Sequence, residues 1–349
     1  MNRMLWIVLA AAFSLSFGPS AVAAVDYKIV TASERGTYIQ IGRNLAQFIA
    51  PGSDIELEAL PSAGSAENVR RLRFEPGVKF ALVQSDVYQA FLDQAAGGNA
   101  DATAMIRPLR VILPLYNEEI YFLARADSDL NYVHDVRDAK INVGELGSGT
   151  ALTTTTLYRL MFGAPMPQAN ATFLPNEDAL PKLIGDKSID VVAVIGGQPT
   201  KLLADMKPEA RALIKLLKFD PNQPQSKAAL KTYVNATVRA SSYPNLLTED
   251  LPALAVKAFL VTYDFSLKQT EDSLKRFAKS LCQNFAMLQE KGHPKWREVD
   301  LALPDLGRGW IYYPATTTEL RSCIAARGKP KILTSKACTQ QEQVLGLCK

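Results

Sequence analysis

Ile141-Asn142-Val143-Gly144-Glu145-Leu146-Gly147-Ser148-Gly149-Thr150 runs from a short apolar strand through a glycine-rich turn into a helix whose apolar positions are Leu152, Leu157, Leu160 and Met161. The same order of strand, polar turn and helix recurs along the chain. Residues 26–30 read as a strand, Thr31-Ala32-Ser33-Glu34-Arg35-Gly36 as a turn, and 37–49 as a helix with Tyr38, Ile41, Leu45, Phe48 and Ile49 on its apolar face. Residues 79–83 form a third strand, Gln84-Ser85-Asp86 its cap-like turn, and a helix starts at Val87. The apolar strand 190–195 ends in Gly196-Gly197-Gln198-Pro199. Alternating strands and helices define an α/β protein. Open α/β sheets bind ligands beyond the carboxyl ends of their strands, so these four tips are expected to meet at one cleft.

Two extended stretches, 110–125 and 232–239, stand between the halves and supply the pair of crossing strands that a two-lobe hinge needs. This places an inserted lobe at 114–240 and a discontinuous first lobe at 25–113 and 241–349. The segments 251–262 and 273–288 read as helices by their period.

Residues 1–24 have the three zones of a cleavable secretory signal: Arg3, an apolar run from Leu5 to Phe17, and the small-residue stretch Ala21-Val22-Ala23-Ala24. The run is shorter than the ~20 residues that span a bilayer. The chain is therefore expected outside the cytoplasm, in the periplasm. Removing Arg3 from the 39 basic residues leaves 38 against 35 acids, a net charge of +3, which gives no case for nucleic acid as a partner. A chain of 349 residues with 48% hydrophobic content is globular and long enough for two lobes.

Cys282, Cys323, Cys338 and Cys348 all lie in the last quarter, and an exported chain meets an oxidising compartment. Four cysteines allow three pairings. The favoured one, Cys282 with Cys323 and Cys338 with Cys348, closes a short second loop and pins the tail; the other two stay open. A zinc site has neither Cys-x-x-Cys spacing nor a histidine near the cysteines, because His134 and His293 stand apart from them. No metal and no cofactor is expected.

The motifs point to binding rather than catalysis. Gly147-Ser148-Gly149-Thr150 opens a helix with bare amides and hydroxyls, and such a terminus attracts an anion; an ordinary N-cap and tight turn would look the same. The Gly-Lys-Ser/Thr ending of a phosphate loop and the Gly-x-Ser-x-Gly of a nucleophile elbow are both missing. Ser62-Ala63-Gly64-Ser65-Ala66-Glu67-Asn68 likewise precedes a helix. Arg35, Arg107 and Arg125 are candidate guanidinium partners for a carboxylate. Glu118 and Glu119 are neighbours on a strand, so they face opposite ways and do not act together on one substrate. One helix terminus contributes about 0.3–2 kcal/mol to anion binding, against about 8 kcal/mol for micromolar capture. Donors from both lobes are needed.

Taken in order, these tips resemble the solute receptors of tripartite ATP-independent periplasmic (TRAP) transporters, in particular the TAXI branch. The matching stretches are Thr31-Ala32-Ser33-Glu34-Arg35-Gly36-Thr37-Tyr38, Pro61 to Asn68, Ala81-Leu82-Val83-Gln84-Ser85-Asp86, Val143 to Thr150, and Val194-Ile195-Gly196-Gly197-Gln198-Pro199. The resemblance implies a type II periplasmic binding protein fold, two α/β lobes joined by a two-strand hinge with a ligand cleft between them. It further implies no enzymatic activity, a small organic acid as ligand, often an acidic amino acid or dicarboxylate, and an integral-membrane TRAP permease as partner. The ligand contacts it implies are Thr31, Ser33, Thr37, Tyr38, Ser65, Asn68, Gln84 and Ser85 from one lobe. From the other it implies Gly147, Ser148, Gly149, Thr150, Gly197 and Pro199. The chain departs from the family's glycine-richer first loop, carrying Ala32, Ser33, Glu34 and Arg35 there. A receptor feeding an ATP-driven importer or a sensor would share the same cleft, and a secreted hydrolase of small esters is the alternative from another class.

Overall fold

The computed structural model describes residues 24–306 and 309–327. The expected signal, apart from its last residue, and the expected Cys338–Cys348 bridge lie outside the described residues. In chain order the first half holds β1 (Val25–Val30), α1 (Thr37–Phe48), β2 (Ile55–Leu60), α2 (Ser65–Phe74), β3 (Val78–Gln84), α3 (Val87–Ala96), α4 (Ala100–Ile106), β4 (Leu109–Arg125), β5 (Ile141–Asn142), α5 (Gly149–Phe162) and β6 (Ala171–Thr172). The second half holds α6 (Asn176–Pro181), β7 (Val191–Gly196), α7 (Lys201–Ala204), β8 (Ile214–Leu216), α8 (Pro224–Ala229), β9 (Val234–Val238), β10 (Leu251–Tyr263), α9 (Lys268–Gln283), α10 (Phe285–Lys291) and α11 (Pro314–Arg327).

One sheet runs in the order β2-β1-β3-β10-β4-β7-β5-β6, with β8 added to β4 and β9 to β10. Two strands are long enough to belong to both halves. The start of β4 and the end of β10 pair with each other beside β3, whereas the end of β4 pairs with β7 and the start of β10 with β9. The β4–β10 register slips between Lys257 and Phe259, opposite Asn117 and Pro114. Pro114 has no N–H to give the ladder, so an irregularity falls where one lobe becomes the other.

Each half buries apolar side chains on both faces of its part of the sheet. In lobe 1, Ile29, Phe80, Leu82 and Phe277 fill one side, and Val30, Val83, Phe91 and Val261 the other. In lobe 2 the corresponding sets are Ile141, Leu157, Val191 and Phe219, and Leu123, Val192, Leu203 and Tyr243. The two-lobed α/β architecture with a two-strand crossing is therefore as expected, but the crossing strands differ.

The second crossing strand is β10, not 232–239, which is a shorter strand within lobe 2, and the helix expected over 251–262 is a strand. Ala253, Ala255 and Ala258 and a run apolar at almost every position mimic a buried helix, since periodicity is lost when both faces are covered. The C-terminal helices cover lobe 1, and the expected Cys282–Cys323 disulfide joins α9 to α11 with Cα atoms 6.3 Å apart. Among the described residues no helix is long and apolar enough to cross a membrane.

Candidate functional site

Between the lobes lies a cavity of about 120 Å³ whose wall is built from the tips of β1, β3, β5 and β7 and from the crossing strand β4. Of the expected residues, Ser33, Thr37, Tyr38, Ser65, Gln84, Ser148, Gly149 and Thr150 line it. The others are placed elsewhere, for reasons of bonding that a sequence motif does not display. Thr31 gives its hydroxyl to the Leu60 carbonyl (2.7 Å). Asn68 is fully buried and spends its amide N–H groups on the carbonyls of Thr31 and Leu82, while its oxygen accepts from Ser62 (2.6 Å). It ties β1 to β3 rather than facing the cavity. The Ser85 carbonyl accepts from the Trp310 indole, Gly147 offers its carbonyl to the Glu67 N–H (3.1 Å), and Gly197 offers its carbonyl to Thr37 (3.0 Å). Pro199 lines a separate hollow with His293. Arg35 reaches the cavity rim; Arg125 instead bonds the Ile189 carbonyl and pairs with Asp190.

The α5 terminus is capped by its own chain: Ser148 Oγ accepts from the Ala151 N–H (2.9 Å). The N–H groups of Gly149 and Thr150 belong to the first turn, which a helix leaves without internal acceptors. Two glycines permit this approach. Gly144 takes a φ of +95°, and a Cβ there would stand 2.9 Å from Thr150 Cβ. A Cβ on Gly149 would overlap Gln84 Oε1 and sit 2.7 Å from Ser65 Oγ, both from the opposite lobe.

Glu118 is the residue that sequence reasoning discounted. It lies on β4 beside the register slip, is 3% exposed and lines the cavity. Burial pushes its carboxyl up to about 7, while the nearby Tyr38 hydroxyl and Gln84 amide draw it partly back. Glu118 Oε2 and the Tyr38 hydroxyl are near neighbours but meet in no hydrogen bond of good geometry, and Asn176 Oδ1, also in the wall, has no partner. The signal was available: a charge inside a 17-residue strand otherwise almost wholly buried. Leu174, Glu177, Thr200 and Leu202 complete parts of the wall outside every motif, and Glu145 and Ile195 line it from within two motifs whose expected contacts were other residues.

The opposing tips are in contact. Thr153 of α5 and Tyr233 both donate to Asp86 Oδ2 at the start of α3, at 2.7 and 2.9 Å. Arg239 pairs with Glu298 (2.9 Å), and Arg35 stands 3.8 Å from Glu177 across the mouth. The lobes thus touch around the cavity, which keeps a mouth between Arg35 and Glu177. Among the described residues, no serine or threonine in the wall bonds to a histidine or a carboxylate, and no histidine or cysteine lines it.

A family model described as the NMT1-like family matches residues 29–306. Similar solved structures include a putative sulfonate ABC transporter's periplasmic sulfonate-binding protein SsuA from Methylobacillus flagellatus KT, at 12% identity over 87% of this chain and 87% of that one, TM-score 0.44. The periplasmic binding protein BugD is 15% identical over 87% of this chain and 95% of its own, TM-score 0.47. The Candida albicans CA3427 gene product, described as exhibiting the generic periplasmic binding protein structural fold, is 13% identical over 87% and 90%, TM-score 0.45.

Proposed function

The chain belongs to the NMT1-like family, and from that premise we propose that it is a periplasmic solute receptor that captures a small organic acid by closing its two lobes and hands it to a membrane transporter. The observation that carries this reading is one cavity walled by both lobes, with the α5 terminus on one side and Tyr38, Ser65 and Gln84 on the other. Closure removes water from these donors, so each hydrogen bond to a charged group strengthens, and several together reach the roughly 8 kcal/mol of micromolar binding. The closed form is favoured by the contacts that only it makes, which gives the transporter a conformation to read.

The ordered motifs from Thr31 to Pro199 support a TRAP permease of the TAXI type as the partner. An ATP-driven importer would read the same closed form, so the two are separated by which membrane protein co-purifies with the receptor. A hydrolase needs a nucleophile beside a base, and the hydroxyls in this wall are instead bonded to backbone and amide groups or free of any base.

Native mass spectrometry of the protein purified without denaturant tests the reading. One small acid per chain, released on unfolding, is expected; a chain that carries none and takes none up from a library of organic acids overturns it.

A further inference from the structure

The charges around the cavity are unlike those a doubly negative solute requires. Glu118, Glu145 and Glu177 line it against one guanidinium, Arg35, which is largely exposed and already faces Glu177 at 3.8 Å. Two acceptor atoms in the wall, Glu118 Oε2 and Asn176 Oδ1, make no hydrogen bond of good geometry, although the Tyr38 hydroxyl, itself unbonded, lies near Glu118. A buried acceptor left alone costs about 1–3 kcal/mol, more when charged, so a solute that donates to these atoms stabilises the site. The α5 terminus asks for the opposite, an anion. Gln84 fixes how far apart these two demands lie, since its side chain approaches Glu118 and also fills the space beside Gly149. One side chain's length separates them. The remaining wall contributes Leu174, Val194, Ile195 and Leu202, an apolar surface on the lobe 2 side.

Resting on the receptor reading above, we propose that the solute is a zwitterion, an α-amino acid with an uncharged, apolar side chain. Its ammonium meets Glu118, its carboxylate meets the amides of Gly149 and Thr150, and its side chain lies against Leu174 and Ile195. A dicarboxylate or an acidic amino acid brings a second negative charge for which the wall holds no unpaired cation. Selection then comes from the acid in the floor of the cleft: an analogue without the amine leaves Glu118 buried and unpaired, which costs more than the lost contact alone.

Titration calorimetry of the solute-stripped protein with L-alanine, L-leucine, propionate, 4-methylpentanoate, succinate and L-glutamate tests this. The expected result is that at least one of the two apolar amino acids binds, with its deamino counterpart about 100-fold weaker or more, and with succinate and glutamate weaker than that amino acid. Glu118→Gln, checked for an unchanged thermal midpoint, is expected to lose most of the discrimination between amine and deamino acid. Equal binding of propionate or 4-methylpentanoate and its amino acid, or a preference for succinate or glutamate, overturns the zwitterion and leaves the receptor reading standing. Binding of none of the six overturns the apolar amino acid as solute; native mass spectrometry that also finds no acid overturns the receptor reading with it.

Discussion

Glu118 and Glu119 are adjacent on β4 and face opposite sides of the sheet: Glu118 lines the cavity, while Glu119 takes the Lys295 ammonium at 2.7 Å. The alternation of a strand separates two carboxylates that sequence places together, and it gives them different work. Glu119 is satisfied from all sides, accepting also from the Gln198 N–H (2.8 Å) and side-chain amide (3.0 Å). Lys295 joins this pair to Glu298 at 2.6 Å and is itself wholly buried.

Lys295→Met removes the cation that Glu119 was buried against. Breaking a buried pair from one side costs about 3–5 kcal/mol. Urea unfolding is expected to show that loss, with Lys295→Met combined with Glu119→Gln recovering part of it. A single variant as stable as the parent would show that the pair does not hold the two lobes' floor together.

Gly149→Ala places a methyl group where Gln84 Oε1 and Ser65 Oγ now lie. Gln84 would have to leave the hydroxyls of Ser65, in its own lobe, and of Thr153, in the other; the bond to Thr153 exists only with the lobes in contact. The expected outcome is a solute affinity at least about tenfold lower, equivalent to 1.4 kcal/mol, with a small change in unfolding midpoint. Unchanged affinity by calorimetry would mean that the tip tolerates a side chain and the closure is looser than described.

Folding stability is expected to depend on pH through Asp86, whose carboxyl bonds across the lobes to Thr153 and Tyr233. Burial raises its carboxyl to about 6, against 3.8 for an ordinary one, although the hydroxyls of Thr153 and Tyr233 pull it back. A carboxyl raised in the folded protein holds its proton more tightly than in the unfolded chain, so the folded form gains as pH falls. The gain is absent well above pH 6, grows as pH drops through 6, and is complete below 3.8 at about 3 kcal/mol. Glu118, raised to about 7, adds a gain of the same sign that begins nearer neutrality. Unfolding free energies of the parent and Asp86→Asn between pH 4 and 7.5 check this: the parent-minus-variant difference should fall as pH rises through 6. A flat difference would contradict it.

The Cys282–Cys323 bridge closes a loop of sequence separation 41, which by chain entropy contributes about 4 kcal/mol. Replacing both cysteines with alanine is expected to lower the unfolding midpoint and to loosen α11 from α9. Hydrogen exchange over 314–327 should rise before that of the sheet. Equal protection of α11 in both proteins would show that packing alone holds it.

Much of the site was legible because its chemistry is local. The turn after β1 and the glycine-rich entry to α5 declare themselves by residue type, and the strands before them by their apolar runs. What stayed hidden depends on tertiary context. Asn68 looks like a free amide after a cap, yet three bonds inside lobe 1 consume it. β10 reads as a helix because burial on both faces erases the period of 2. Glu118 reads in sequence as one of two carboxylates that cannot act together, and its exposure of 3% is decided by β10, β7 and α1 packing around it. A charged pair inside a long apolar strand is the sequence feature that deserved more weight.

Small-angle scattering on the solute-stripped protein, before and after adding one equivalent of the acid recovered from it, bears most directly on capture by closure. A radius of gyration that falls on addition, and falls less in Gly149→Ala, is the predicted result. A solute that binds while the radius stays the same would contradict the account.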